Sequence, residues 1–247
     1  MSPILEISGL SKRFGKVVTA DDLTFAVEQG SALGIVGPNG AGKSTMLSLI
    51  TGVLAPDGGA VVFDGTDITR ASAGARSEMG IARTFQIPRP FVDMTVFENV
   101  YVGAAFGGTS AGQAGYDTAA EALEVSGLAH LSNVPAGQLR LLDRKRLELA
   151  RALATKPRLM LLDEIAGGLT EKELPPLIEM VRGLKEAGVT VIWIEHIVHA
   201  LLAVVDELMC LAFGSILAIG EPREVMASPE VIEVYLGSTF DLGEAAS

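Results

Sequence analysis

The sequence predicts an α/β fold built on a mostly parallel sheet, and three observations predict it. Short apolar runs at residues 32–36, 158–162 and 190–194 have the length of buried strands and alternate with segments of helical character. The first run passes straight into Gly37-Pro38-Asn39-Gly40-Ala41-Gly42-Lys43-Ser44-Thr45, which satisfies G-x-x-x-x-G-K-[ST] and is followed by helix-like residues 46–50. Near residue 88 the character changes: Pro88 and Pro90 break the chain, and residues 96–105, 118–126 and 143–155 look helical. The expected organisation is a discontinuous core of residues 1–86 and 158–237, a helical subdomain at 87–157 and a C-terminal tail at 238–247. No internal repeat is present.

Taken in order, residues 4–7, 23–27 and 61–64 read as short strands separated by Gly, Asp and Lys. Residues 107–115 are small and polar, as a mobile loop would be. The run at 158–162 leads into Asp163-Glu164, and the run at 190–194 into Glu195-His196. Residues 207–212 and 215–219 form a late hairpin around Gly214.

Composition narrows the function classes. The chain has 247 residues, 49% of them hydrophobic, and a mean hydropathy of +0.39. The best membrane-span candidate, residues 197–219, carries His199, Asp206 and Glu207 in its interior, so no span is expected. The N-terminus lacks a basic region followed by an apolar core, which argues against a cleaved export signal. The single cysteine, Cys210, has no partner for an internal disulfide and sits in an apolar setting, as a buried structural thiol in a reducing compartment does. A net charge of −11 argues against broad contact with nucleic acid or anionic lipid. The one basic cluster, residues 140–151, mixes its cations with Asp143 and Glu148 and reads as a solvated helix face or a local anion site.

The glycine-rich run is expected to cradle phosphate. Glycines let the backbone curl around phosphate oxygens, successive N–H groups point inward, and the helix that begins near Gly42 adds the positive end of its dipole. Lys43 is placed to reach the β- and γ-phosphates and Ser44 to hold Mg²⁺ through its hydroxyl, with Thr45 as a neighbouring contact. Residues 159–164 form an apolar strand ending in two carboxylates: Asp163 to bind Mg²⁺ through water and Glu164 to act as general base. Taken alone, such a pair is also an ordinary strand end. His196 follows another apolar strand by the same logic, placed to donate to the γ-phosphate, whereas His199 and His130 carry no functional signal. Gln86 is either a contact to Mg²⁺ and the attacking water or a polar hinge. Phe14 either stacks on adenine or covers a sheet edge.

Together these residues resemble the ATP-binding cassette family over essentially the whole chain: Phe14 as adenine platform, residues 37–45 as Walker A, Gln86 as Q-loop, 159–164 as Walker B and His196 as switch histidine. Residues 80–86, 146–153, 194–196 and 229–237 are similar to the ATPase subunits of branched-chain amino acid importers, to the LivG type more than the LivF type. The resemblance implies a P-loop NTPase core of RecA-like type with an N-terminal antiparallel β subdomain and an inserted helical subdomain. It implies ATP and Mg²⁺ as ligands, and a head-to-tail pairing with itself or a LivF-like subunit. It further implies two transmembrane permease subunits whose coupling helices enter a groove near residues 86–99, a binding protein acting indirectly, and a peripheral place on the cytoplasmic face of the membrane. Amino-acid import is the expected function. A regulatory cassette with weak hydrolysis and a non-transport cassette ATPase are the alternatives.

One family motif departs. The signature L-S-[GY]-G-[QED] belongs just before the helix carrying Ala150-Arg151-Ala152-Leu153, and the register count places it at Leu139-Arg140-Leu141-Leu142-Asp143. Arg140 stands for serine and Leu142 for glycine. Pro135-Ala136-Gly137-Gln138 looks like the motif but lies five residues too early, away from a helix N-terminus. Leu142 brings a side chain where glycine allows close approach to phosphate, while Arg140 brings a long cation and Asp143 a helix-capping carboxylate. After Walker B, Ile165 replaces the usual proline and Thr170 the usual Asp or Asn. An asymmetric dimer is therefore expected, with this chain's Walker A facing a regular signature on its partner.

Overall fold

The computed structural model describes residues 3–107 and 112–240, with side chains to Val234. By contacts the chain divides into two units, one formed by the chain up to Ala71 and from Ile192 onward, the other by Ser72–Val191.

The first unit opens with β1 (Pro3–Phe14), β2 (Val17–Glu28), β3 (Ala32–Val36), α1 (Lys43–Ile50), β4 (Gly58–Phe63) and β5 (Thr66–Asp67). An antiparallel sheet of order β2-β1-β4-β5 results. β1 and β2 run well past the short strands expected at 4–7 and 23–27. Register shifts after Ile7 and Leu10 let the ladder continue through Lys12 and Arg13, polar residues that read as punctuation in the sequence. Leu5, Ile7, Leu10, Leu23 and Val27 are buried from the two strands. At Gly59, φ is +85° and a Cβ would stand 2.3 Å from the Gly9 carbonyl oxygen, so β1 and β4 approach there only because the residue is glycine. All five residues of β3 are buried, as its unbroken apolar run predicts.

The second unit contains α2 (Ala73–Glu78), β6 (Ile81–Arg83), α3 (Val96–Phe106), α4 (Gln113–Val125), α5 (Leu141–Leu153), β7 (Leu159–Asp163) and α6 (Leu174–Glu186). β6 and β7 pair in parallel, Ile81 opposite Leu159 and Arg83 opposite Leu161. α3, α4 and α5 pack around Val96, Val100, Ala119, Leu123, Leu147 and Ala150. Small residues draw them close: a Cβ at Gly103 would lie 2.4 Å from the Arg151 carbonyl oxygen. A capping box starts α3, where Thr95 Oγ1 accepts from the Glu98 N–H at 3.1 Å and Glu98 Oε2 from the Thr95 N–H at 2.7 Å. α4 begins five residues ahead of the expected 118–126 helix, so residues 113–115 of the expected 107–115 loop are helical; residues 108–111 of that loop lie outside the described residues.

β8 (Thr190–Ile194), fully buried, is the strand through which the chain passes back to the first unit. There follow α7 (Val198–Leu202), β9 (Glu207–Ala212), β10 (Ser215–Gly220), α8 (Pro222–Ala227) and α9 (Pro229–Phe240). β9 lies parallel to β3, Val36 opposite Cys210, and antiparallel to β10 across a turn in which Phe213 and Gly214 have φ of +52° and +82°. α9 takes in the first three residues of the tail expected at 238–247; the remainder lies outside the described residues. Among the described residues no helix is long and apolar enough to cross a membrane.

Candidate nucleotide site

In the first unit, β3 delivers the chain into the phosphate loop, and two of the loop's glycines are required by contact. At Gly37 (φ +149°) a Cβ would stand 1.9 Å from the Leu211 carbonyl oxygen, and at Gly42 (φ +102°) 2.0 Å from that of Thr19. Gly40 (φ +80°) has nothing within 4 Å of a Cβ position, so there glycine serves backbone conformation alone. Gly214 N–H donates to the Ala41 carbonyl at 3.0 Å, tying the loop to the β9–β10 turn. Lys43 is buried, its ammonium donating to the carbonyls of Gly37 at 2.7 Å and Pro38 at 2.9 Å, folded over the loop it is expected to serve. α1 begins at Lys43 with no side-chain cap and no acid in its first turn. That combination suits an anion. Asn39, Gly40 and Ser44 are exposed and Thr45 half-buried.

Phe14 is 48% exposed at the end of β1, with the Lys12 ammonium 5.6 Å from its ring centre. Lys12 also pairs with Asp57 at 2.8 Å, and this bond, with the Arg13 N–H, holds the Asp57 carboxyl below its ordinary value. His196 is exposed just beyond β8, its N–H donating to the buried Glu195 at 3.3 Å. Cys210 lies buried on β9, and burial pushes its thiol pKa up against the opposing effect of Lys43.

In the second unit, β7 carries the two carboxylates to its carboxyl end. Asp163 is buried, and its Oδ2 accepts from Arg83 Nη2 at 2.6 Å. Glu164 takes a left-handed conformation (φ +48°) that turns the chain at the strand end, and its Oε2 accepts from Gln86 Nε2 at 2.5 Å. Gln86 and Glu164, nominated separately from sequence, are thus in contact. Nothing in the sequence marks Arg83 as a partner of Asp163. The signal that finds it is the pairing of β6 with β7, hidden in the sequence by the helical segment between them. The oxygen donors of Ser44, Asp163 and Gln86 are of the kind a hard cation such as Mg²⁺ takes.

Arg140 stands at the N-cap of α5, exposed and making no side-chain cap bond, and Leu141, Leu142 and Asp143 form the first turn. Asp143 pairs with Arg146 at 3.6 Å. Leu141, 44% exposed, points one methyl to within 3.3 Å of a Cβ position on Gly168, beyond β7. The lookalike residues Ala136–Gln138 form a single 3-10 turn, where Gly137 N–H donates to the Val92 carbonyl at 3.0 Å and Arg144 Nη2 to the Gly137 carbonyl at 2.9 Å. The helix N-terminus therefore falls at 140–143, where the register count places the signature. Ile165 is buried, and Thr170 is exposed and bonded through Oγ1 to Glu173 at 2.7 Å.

A glycine cradle opening a helix after a buried parallel strand, and a buried strand ending in Asp-Glu with a glutamine on the second acid, define a nucleoside triphosphatase of the P-loop class. Residues 20–167 match the ABC transporter family model, and residues 215–241 the model of the branched-chain amino acid ATP-binding cassette transporter. The chain belongs to the ABC transporter family, as an ATP-binding, ATP-hydrolysing cassette. It is 36% identical to the high-affinity branched-chain amino acid transport ATP-binding protein BraF of Pseudomonas aeruginosa, across 95% of this chain and 98% of that one. LivG of Escherichia coli K12 is 33% identical with the same coverage, 95% and 98%. Among solved structures, the ADP conformation of the cassette MJ1267 matches with a TM-score of 0.89 at 34% identity, over 96% of this chain and 100% of that one.

Proposed function

We propose that this ATPase energises an importer of branched-chain or other hydrophobic amino acids, seated peripherally on the cytoplasmic face of a membrane. The observation that carries this reading is the end-to-end similarity to branched-chain transport ATP-binding proteins in a chain whose Glu164 already meets Gln86. Phe14 stacks on adenine, and the N–H groups of residues 37–45 with the Lys43 ammonium hold the phosphates. Ser44, Gln86 and, through water, Asp163 would hold Mg²⁺, which when bound would neutralise phosphate charge. Glu164 takes a proton from the attacking water, Gln86 orients that carboxylate, and His196 donates to an oxygen of the γ-phosphate.

Two such cassettes pair head to tail, and the preferred partner is a LivF-like subunit with a regular signature. Two permease subunits receive the power stroke at residues 86–99, fed by a binding protein. Arg140 and Leu142 then face the partner's ATP, while Lys43, Glu164 and His196 work against the partner's signature. Turnover of the purified chain is compared with that of the chain mixed with its LivF-like partner and the permease subunits. Stimulated hydrolysis with amino-acid uptake is expected of the mixture alone; brisk cooperative hydrolysis by the homodimer overturns the asymmetric arrangement.

A further inference from the structure

α5 holds Arg140–Asp143 at its N-terminus and, roughly three turns further on, Arg151, whose guanidinium reaches the segment after Gln86. Arg151 Nη1 donates to the Arg89 carbonyl at 2.9 Å and to Glu148 Oε2 at 3.2 Å, and its guanidinium carbon lies 4.9 Å from the centre of the Phe91 ring. The Arg89 N–H in turn stabilises the Glu148 carboxylate, so the α5 pair engages both peptide groups of one residue. Asn99 of α3, fully buried, does the same for Phe91: its Oδ1 accepts the Phe91 N–H at 2.8 Å and its Nδ2 donates to the Phe91 carbonyl at 3.0 Å. The segment so gripped displays Phe91 and Val92 at 45% and 52% exposure, just after Ile87 at 69%.

Burying Glu148 is an expensive way to fill space, while Arg151 keeps 23% of its side chain exposed. Burial pushes the Glu148 carboxyl up from its ordinary value, and Arg151 and the Arg89 N–H draw it back. Apolar residues of like volume generally serve packing as well or better in such a place. What they lack is a directed bond to the Arg89 peptide and a planar cation for the Phe91 ring.

We propose that Arg151 and Glu148 are positioning residues that fasten segment 89–92 to α5, so that displacement of Arg140–Asp143 at one end of the helix moves the apolar segment at the other. A helix of 13 residues spans about 20 Å and moves as a rod. What meets the two ends, the partner's ATP and the permease subunits, rests on the function proposed above.

The test uses the full complex in vesicles, with co-purification, ATP turnover and amino-acid uptake per ATP measured on each variant, and melting temperature on the isolated chain. The double variant Glu148→Met/Arg151→Met keeps volume and removes the fastening. It is expected to melt no lower than wild type and to keep turnover within about twofold, while uptake per ATP falls at least tenfold; Arg151→Lys, which retains one donor to the Arg89 carbonyl, recovers part of that uptake. Uptake per ATP equal to wild type in the methionine pair overturns the proposal and leaves the importer reading intact. Failure of the wild-type chain to assemble with permease subunits overturns both. If the methionine pair does not fold, Arg151→Lys decides alone: full coupling overturns the fastening, and lost coupling at unchanged melting temperature supports it.

Discussion

α1 and α5 both begin at stretches expected from the sequence to meet phosphate, yet the two helix starts are made differently. α1 is entered through Gly42, in a backbone conformation and a space that admit only glycine, with no side-chain cap bond and no acid in its first turn. α5 is entered through Arg140 in ordinary extended geometry (φ −71°, ψ 165°), and its first turn carries Leu141, Leu142 and Asp143. The first start offers an anion backbone N–H groups bare of acids, with the Lys43 ammonium folded over the same loop. The second offers an exposed cation, two branched apolar side chains and a carboxylate, and a carboxylate in a first turn favours the helix while repelling phosphate. A helix N-terminus alone thus does not mark a phosphate site: its surroundings differ, a glycine-lined loop with Lys43 at α1 against Leu141, Leu142 and Asp143 at α5.

The largest effect comes from spoiling the bare start. Gly37→Ala places a methyl 1.9 Å from the Leu211 carbonyl oxygen, and is expected to lower ATP affinity at least about 100-fold, equivalent to the upper part of the 1–3 kcal/mol that such backbone strain costs. Nucleotide titration by fluorescence, beside a thermal melt, reads it. Next, Glu164→Gln is expected to slow turnover by about 10²–10⁴-fold while ATP still binds; single-turnover assays separate the two, and unchanged turnover removes Glu164 from the general-base role. Third, Arg140→Ser/Leu142→Gly makes the second start resemble the first. ATPase activity of the homodimer is expected to rise by about tenfold or more, toward the 10²–10³-fold that one backbone donor contributes to a charged transition state. No gain would mean that the side chains at 140–142 do not limit that site. The smallest effect concerns the support of the phosphate loop: with its thiol buried and its pKa raised, Cys210 is expected to react with aromatic disulfides at pH 8 only as fast as the chain opens, and slower still with nucleotide bound.

What was legible in the sequence follows from burial. β3, β7 and β8 are buried on every residue, so their apolar runs gave their positions to within a residue. β1 and β2 were cut short because their outer halves are amphipathic and pass through register shifts, which leave no clean alternation to read. The start of α5 was legible to within a residue or two from a family anchor inside the helix, even though its own residues depart from the family. Gln86 and Glu164 were each legible by type and order, but their contact was not. The Arg83–Asp163 pair was invisible for the same reason: it depends on which strands lie side by side, and the sequence between β6 and β7 says nothing of that.

The walls of the phosphate loop have a consequence for how the protein is made. Gly37 rests against Leu211, Ala41 is bonded to Gly214, and β3 borders β9. All of these supports are translated long after the motif itself. A nascent chain that has emerged only through β8 carries every residue of the loop and the Thr19 wall at Gly42, but lacks the wall at Gly37 and the bond to Ala41. Nucleotide binding is therefore expected to mature near the end of synthesis, and a transcript truncated before β9 is expected to yield a product with a complete motif and half its cradle.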